Sequence, residues 1–577
     1  MQEINSELIA SIANRLFQQL PGVPPRTSGA TVPEIPGSMT NPPGLQAVTS
    51  AGVPFAPVSS GQISDPSILT QSFRGNPGFS SSLPEFPGAT SRAIPGLPSG
   101  DQRLPATEES TALRGENPDG LSQFISRIRA VQMGGQPGLC DDDPALQGLR
   151  SRFAATAQKE QTSRDFNVTS IRKDFPILNQ KINGHPLIWL DNAATTQKPN
   201  IVIDTIAQFY RSDNSNIHRA AHTLAARATD AYEGARKKIQ QFLGAGSTDE
   251  IIFVRGTTEG INLVARTFGS KFLQPGDEIL LSILEHHANI VPWQMVARER
   301  GAMIRVIPVN DRGEIQMDEY QRLLGPKTKL VALTQASNSL GTILPVTEMT
   351  QMAKRYGARV LIDGAQSVAH IPVNVKEMDC DFFVFSGHKI FGPTGIGAVY
   401  GRKELLELLP PWQGGGNMIR DVTFEETIFQ QPPARFEAGT PNVADAVGLG
   451  AALDYVNRLG LKNIAHYEHE LLLHGTELLN QIDGLQLIGK AREKVGVLSF
   501  VLRGFSTEEV GRRLDQEGIA VRAGHHCSQP SLRRFGTETT VRPSLSLYNT
   551  REELEHLAAA VRRIQTRSVS VSGFRDI

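Results

Sequence analysis

Six short apolar runs recur between residues 250 and 387: EIIFV (250–254), EILLSIL (278–284), MIRVIPV (303–309), TKLVALTQA (328–336), ARVLIDG (358–364) and DFFVFSG (381–387). Helix-length amphipathic segments separate them. Strands interleaved with helices in this way predict an α/β domain built on a largely parallel central sheet. Ligands of such sheets sit beyond the carboxyl ends of the strands. The residues that follow each run therefore carry the functional question.

Unusual residues gather at those ends. The last run leads into Ser386, Gly387, His388 and Lys389, and then into a glycine-rich stretch with Gly392, Pro393, Gly395 and Gly397 that is expected to be irregular. The run before it ends on Asp363, followed by a glycine turn and Gln366. FVRGTTEGINLVA (253–265) passes from strand through Gly256, Thr257 and Thr258 into a helix, where backbone N–H groups and hydroxyls form an anion seat. LEHHANIVPW (284–293) places two imidazoles after a strand. Taken singly these features are ambiguous. A Gly-Thr-Thr start is also an ordinary cap, an acid after a strand also an N-cap, and paired histidines are often structural. GPTGIG lacks the Gly-Lys-Ser/Thr ending of a P-loop and is not a dinucleotide fingerprint.

Together the features describe one ligand. A phosphate would suit Thr257, Thr258, Ser386 and His388. A ring covered by an imidazole would suit His286, and a protonated ring nitrogen would suit Asp363. An aldehyde would suit Lys389, because a lysine taken out of water must be paired, neutralised or chemically modified. That combination is pyridoxal 5′-phosphate held as a Schiff base.

Composition bounds the rest. Lys and Arg number 58 against 59 Asp and Glu, so no charge excess points to nucleic acid or an anionic membrane. The three cysteines, Cys140, Cys380 and Cys527, are too few for a disulfide framework and suit a reducing compartment. No apolar run reaches the roughly 18 residues of a membrane span. Glu3 and Glu7 argue against a secretory signal and, less strongly, against a transit peptide.

The text changes near residue 160. No lysine, tyrosine or tryptophan occurs before Lys159, and about half of the 36 prolines lie in residues 21–120. That Pro/Gly/Ser-rich tract cannot bury enough surface to fold and is expected to be disordered. Islands interrupt the arm: an apolar stripe at Ile4, Leu8, Ile12, Leu16 and Leu20; the related units VPEIPG (32–37), LPEFPG (83–88) and AIPGLP (93–98); and amphipathic segments at 121–133 and 143–158. They read either as accidents in a linker or as linear motifs that dock on a partner. Cys140 is incidental to this tract, whereas Cys380 is expected in the core.

From about residue 166 the chain closely resembles the SufS-like cysteine desulfurases, the type II group of the class V, fold-type I pyridoxal phosphate enzymes. The resemblance rests on WLDNAATTQKP (189–199), NIHRAAHTLAARAT (216–229), RGTTEGINLVA, EHHANIVPWQ, SNSLGT (337–342), DGAQS, FSGHKIFGPTGIG, PPWQGGGNMI (410–419), FEAGTPN (436–442), RAGHHCSQP (522–530) and RPSLSLYNT (542–550), in that order. It implies an aspartate aminotransferase-like large domain at 190–460 with a mixed, mostly parallel sheet. A smaller α/β domain follows at 461–577, with 166–189 packing on it and 1–160 left as the disordered arm.

The resemblance also implies roles. Lys389 would bind the cofactor, Asp363 its ring nitrogen and Gln366 its phenolic oxygen, with His286 stacked on the ring. Thr258, Ser386 and His388 would hold the phosphate, helped by Thr440 from a second subunit of a homodimer. Arg542 would clamp the substrate carboxylate with Asn338, Cys527 would be the nucleophile that becomes a persulfide, and His222 would lie near the substrate. L-cysteine would be converted to L-alanine, and the sulfur would pass to an acceptor of the SufE or SufU type.

His525, His526 and Cys527 could also be read as a metal site, but no further spaced ligands accompany them. A selenocysteine lyase or another class V lyase is the competing enzyme, and such an enzyme could dispense with Cys527. The arm departs from ordinary SufS-like enzymes and resembles the extensions of cargo desulfurases of encapsulin shells. That likeness implies a place inside a bacterial nanocompartment in the cytoplasm, or a shell-binding scaffold role for residues 1–160.

Overall fold

The computed structural model describes residues 166–218 and 222–572. The expectations for residues 1–160, including the motifs of the arm and Cys140, lie outside the described residues.

The central sheet has seven strands: β1 (Ile251–Val254), β2 (Glu278–Ser282), β3 (Met303–Ile307), β4 (Thr328–Thr334), β5 (Arg359–Asp363), β6 (Phe382–Ser386) and β7 (Gly397–Gly401), in the order β1-β7-β6-β5-β4-β2-β3. Every pairing from β6 through β5, β4 and β2 to β3 is parallel. Only β7 runs against its neighbours, β1 and β6. The sheet is thus mostly parallel, as expected from the six runs, and mixed, as the resemblance implies.

Why most of these runs are apolar along nearly their whole length is visible in the packing. Ile251 and Phe253 point into one core cluster, Ile252 and Val254 into another. Phe383 and Phe385 likewise join the first cluster, Phe382 and Val384 the second. Successive side chains alternate between the two faces, so a strand covered on both faces needs an apolar residue at every position. Helix α1 (Asn200–Ser212), α2 (Thr223–Leu243), α3 (Thr257–Phe272) and α4 (Val443–Leu459) belong to the layers around this sheet.

A second sheet lies later in the chain: β8 (Leu485–Leu487), β9 (Phe500–Leu502), β10 (Arg522–Gly524) and β11 (Thr540–Arg542), in the antiparallel order β8-β9-β11-β10. It shares a core with α5 (Leu461–Asn480) and α6 (Arg551–Ser572), formed by residues such as Leu471, Phe500, Val541 and Val561. Ile188 and Leu190 join that core, and Ile188–Trp189 pairs in parallel with Ile519–Ala520. Among the described residues, no helix is long and apolar enough to cross a membrane.

The glycine-rich stretch after Lys389 is less irregular than its composition suggests, because Gly397 opens β7. A Cβ there would lie 2.4 Å from the Phe385 carbonyl oxygen and 2.8 Å from Gly256 Cα. The glycine is a condition of the pairing, since both neighbours are backbone and cannot turn away. Gly397→Ala should therefore destabilise the protein by ~2–3 kcal/mol in denaturant titrations. Gly234→Ala, on α2 where an added Cβ meets nothing within 4 Å, should instead stabilise it by ~0.5–1 kcal/mol.

Candidate active site

Five strands of the central sheet deliver residues to one cleft of about 270 Å³, all from their carboxyl ends. β1 leads to Thr257 and Thr258, β2 to His286, β4 to Asn338, β5 ends on Asp363 before Gln366, and β6 ends on Ser386 before His388 and Lys389. The second sheet closes the other side with Arg522 on β10, Arg542 on β11, and the turn carrying His526 and Cys527. Eleven of the thirteen residues expected from the sequence thus share a single cavity. Ala193, Ala194, Arg522 and His526 join them as further lining.

His222 and Thr440 do not join it. His222 is exposed and caps α2, its Nδ1 accepting the Ala225 N–H at 3.2 Å, which commits the imidazole to the helix start. Thr440 is also exposed and lies outside this chain's own cleft.

At one end the cleft is built for an anion. The start of α3 lies on the cleft with the positive end of its dipole, and Ser386 Oγ accepts the Thr257 N–H at 2.8 Å while sitting 2.8 Å from Thr257 Oγ1. Burial pushes the His388 imidazole down to about 4, with Lys389 and Lys198 acting in the same direction.

At the centre Asp363 is buried, and burial raises its carboxyl pKa against the Ala365 N–H, which its Oδ1 accepts at 2.9 Å, and the Lys389 charge. Burial lowers Lys389 in turn, with Asp363 opposing. A shift toward the neutral form makes an amine better able to attack an aldehyde. Burial also holds His286 at about 3, followed by the charge of Lys389, and its Nδ1 accepts the Ala288 N–H at 3.0 Å. The imidazole is therefore neutral and fixed in orientation.

The side of the cleft formed by the second sheet has two cations in register. Arg522 and Arg542 are directly opposed on β10 and β11 and would repel each other. Asp191 sits between them, with Oδ1 3.1 Å from Arg542 Nη2 and Oδ2 3.8 Å from Arg522 Nη1. Arg542 Nη1 donates to the Asn338 carbonyl at 2.9 Å, and Asn338 Nδ2 donates to the His526 carbonyl at 2.7 Å. Arg542 Nε is buried without a partner, as is Gln366 Oε1.

His526 and Cys527 both adopt left-handed backbone (φ 52° and 55°), an uncommon pair for residues other than glycine. The Cys527 N–H donates to His525 Nδ1 at 3.1 Å, and the His287 N–H holds the Cys527 carbonyl at 2.8 Å. The second cysteine, Cys380, is fully buried, and burial pushes its thiol up to about 12. Among the described residues no cluster of His, Cys, Asp and Glu could hold a metal ion.

These residues fit pyridoxal 5′-phosphate. The helix start suits its phosphate, Asp363 a ring nitrogen that must keep its proton, and the Gln366 amide, through its Nε2 donor, a ring oxygen. Asp191 was missed as a site residue because only the fold brings it to Arg542, more than 300 positions away. Glu285 was missed for the same reason: it is buried and accepts from Ser282 Oγ, the Thr334 N–H at 3.0 Å and Asn289 Nδ2 at 2.7 Å, tying the ends of β2 and β4 together.

The class-V aminotransferase family model matches residues 188–557. A cysteine desulfurase of Synechococcus elongatus is 64% identical over 406 residues, which cover 70% of this chain and 65% of that protein. The chain thus spans less than two thirds of that relative's length. A cysteine desulfurase of Serratia proteamaculans is 51% identical over 401 residues, 69% of this chain and 98% of the relative. Among solved structures, the cysteine desulfurase CsdA of Escherichia coli, in its S-sulfonic acid form, superposes with a TM-score of 0.65 at 39% identity, covering 69% of this chain and 98% of that one.

The buried histidines set a pH dependence. Burial pushes His526 down to about 3, so between about pH 3 and 6.5 the unfolded chain binds the proton that the folded chain refuses. Its contribution is complete above pH ~6.5 and is lost on acidification, with a slope of up to ~1.4 kcal/mol per pH unit. Urea titrations of the cofactor-free protein should show stability falling from pH 6.5 to 4. His526→Gln should make that fall shallower.

Proposed function

The chain belongs to the class-V aminotransferase family, and from that premise we propose that it is a cysteine desulfurase of the SufS-like type II group. Its cofactor is pyridoxal 5′-phosphate, which when bound supplies the aldehyde that Lys389 engages and an electron sink for the substrate's α-carbon. The observation that carries the reading is the convergence, in one cleft, of Lys389, Asp363, Arg542 and a cysteine on a strained turn.

Each residue then has a task. Thr257, Thr258, Ser386 and His388 seat the phosphate, Asp363 keeps a proton on the ring nitrogen, Gln366 meets the ring oxygen and His286 covers the ring. Arg542 receives the carboxylate of L-cysteine through its free Nε, oriented by Asn338 and Asp191. Lys389 Nζ removes and returns the α-proton. Cys527 Sγ attacks the substrate sulfur: the S–S bond forms, the Cβ–S bond breaks with its electron pair staying on carbon, and that carbon takes a proton. The products are L-alanine and a Cys527 persulfide. The persulfide would pass to an acceptor protein of the SufE or SufU type. Exposure of Thr440 suits a homodimer in which that hydroxyl serves the other subunit's phosphate.

Cys527 favours a desulfurase over a selenocysteine lyase. Lys389→Ala should lose the yellow colour of the bound cofactor. Cys527→Ser should keep that colour and its spectral response to L-cysteine, yet release sulfide at least ~10²-fold more slowly. Sulfide release from L-cysteine at the parent rate by the serine variant would count against the persulfide route, and activity confined to selenocysteine would favour the lyase.

Residues 1–160 are proposed to carry the enzyme into an encapsulin-type shell within the cytoplasm. The support is their composition and their spaced apolar units. A chain starting near residue 160 should turn over L-cysteine like the full protein but stay outside a co-expressed shell, as read by size separation and imaging. Deleting one of VPEIPG, LPEFPG or AIPGLP should reduce loading only in part, because several weak contacts act together.

A further inference from the structure

The segment Thr195-Thr196-Gln197-Lys198 takes no part in the chemistry above, yet it grips the backbone beside Lys389. The carbonyl oxygen of His388, the one in the peptide bond to Lys389, faces four donors. They are the Thr196 N–H at 3.0 Å, Thr195 Oγ1 at 3.0 Å, Thr196 Oγ1 at 3.2 Å and Lys198 Nζ at 3.1 Å. A carbonyl has two lone pairs, so this is more than satisfying one backbone group requires.

The grip extends beyond that oxygen. Thr196 Oγ1 accepts the Phe391 N–H at 2.8 Å, so the chain is held both before and after Lys389. The segment is itself anchored: Trp189 Nε1 donates to the Thr195 carbonyl at 3.2 Å, and the Gln197 N–H donates to the buried Tyr548 hydroxyl at 3.0 Å.

Lys198 is the informative member. Its ammonium also donates to the Thr196 carbonyl, and among the described residues no carboxylate lies within ion-pair distance. An ammonium withdrawn from water is costly unless it is paired. Here its partners are the Thr196 carbonyl in its own segment and the His388 carbonyl at the root of another lysine. A surface lysine kept for solubility would not be placed so.

We propose that Thr195, Thr196 and Lys198 clamp the His388–Lys389 peptide and thereby fix where the Lys389 side chain enters the cleft, with Lys198 as a positioning residue. The proposal rests on the reading of Lys389 as the cofactor lysine. Lys389 must leave the cofactor when substrate arrives and return when product departs. A side chain with four rotatable bonds finds one position repeatedly only if its backbone does not move.

The test reads the clamp separately from catalysis. Amide hydrogen exchange over residues 386–396 is followed in the full-length, cofactor-free protein, together with the rate at which added pyridoxal 5′-phosphate gains its visible absorbance. Lys198→Met should speed exchange in that segment about tenfold, equivalent to ~1.4 kcal/mol, and slow cofactor capture by a similar factor. Exchange over residues 278–282 should be unchanged, and Lys198→Arg, which restores a charged donor, should recover most of both effects. Parent-like exchange and capture in Lys198→Met would overturn the clamp. So would exchange raised equally in both segments, which would make Lys198 a general stabiliser. If the methionine variant does not fold, Thr195→Val decides: faster exchange at 386–396 supports the clamp, and parent values overturn it. Failure of Lys389 as the cofactor lysine would show instead in Lys389→Ala and would leave the exchange result standing.

Discussion

Burial of ionisable groups at the carboxyl ends of the central strands is the constraint on which the site depends. Lys389 is driven toward its neutral form by burial, and the acid on the adjacent strand, Asp363, opposes that. Asp363 is itself pushed toward its protonated form and held back by the Ala365 N–H and by Lys389. Neither group could sit there alone without cost. A protonated ring nitrogen facing Asp363 and an imine in place of the free amine would relieve both. The pairing of these two groups thus suits pyridoxal 5′-phosphate.

The parallel sheet makes that arrangement possible. Because β1, β2, β4, β5 and β6 all end on one side, residues spread over more than 130 positions reach one cleft without long connecting loops. The second sheet supplies what the first cannot. Its paired strands β10 and β11 bring Arg522, Arg542 and the Cys527 turn over the opening, and Asp191 locks the two arginines in place. Removing Asp191 would leave two opposed guanidinium groups, one of them buried, without a counter-charge. The left-handed backbone at His526 and Cys527 belongs to the same device, since it turns the chain sharply at the sulfur and is braced by His287 and Asn338.

Legibility in the sequence followed how local each signal was. Six of the seven central strands stood out as apolar runs: five are buried along most of their length, while β3, at the sheet edge, is exposed at Met303, Arg305 and Val306 and stood out only by its aliphatic residues. The seventh, GAVYG at 397–401, was hidden by the glycines that its close approach to Gly256 and Phe385 requires. The strands of the second sheet have three residues each and rely on packing against α5 and α6, so no run announced them. Eleven cleft residues were legible from motifs, whereas His222 was drawn instead into capping α2.

By itself the sequence determined the α/β class, the succession of strands, the chemistry of the strand ends and the break in composition near residue 160. Those properties depend on neighbours in the chain: apolar periodicity, helix starts, and the mismatch between a proline-rich tract and core formation. Only the tertiary structure decided which distant charges meet. Asp191 beside Arg542, the threonines and Lys198 on the His388 carbonyl, and Glu285 between β2 and β4 are contacts between residues that are ordinary in their local context. What gives these contacts their strength is low-dielectric proximity. Only the folded sheet creates it, because it sets the distances and removes the water that would otherwise screen them.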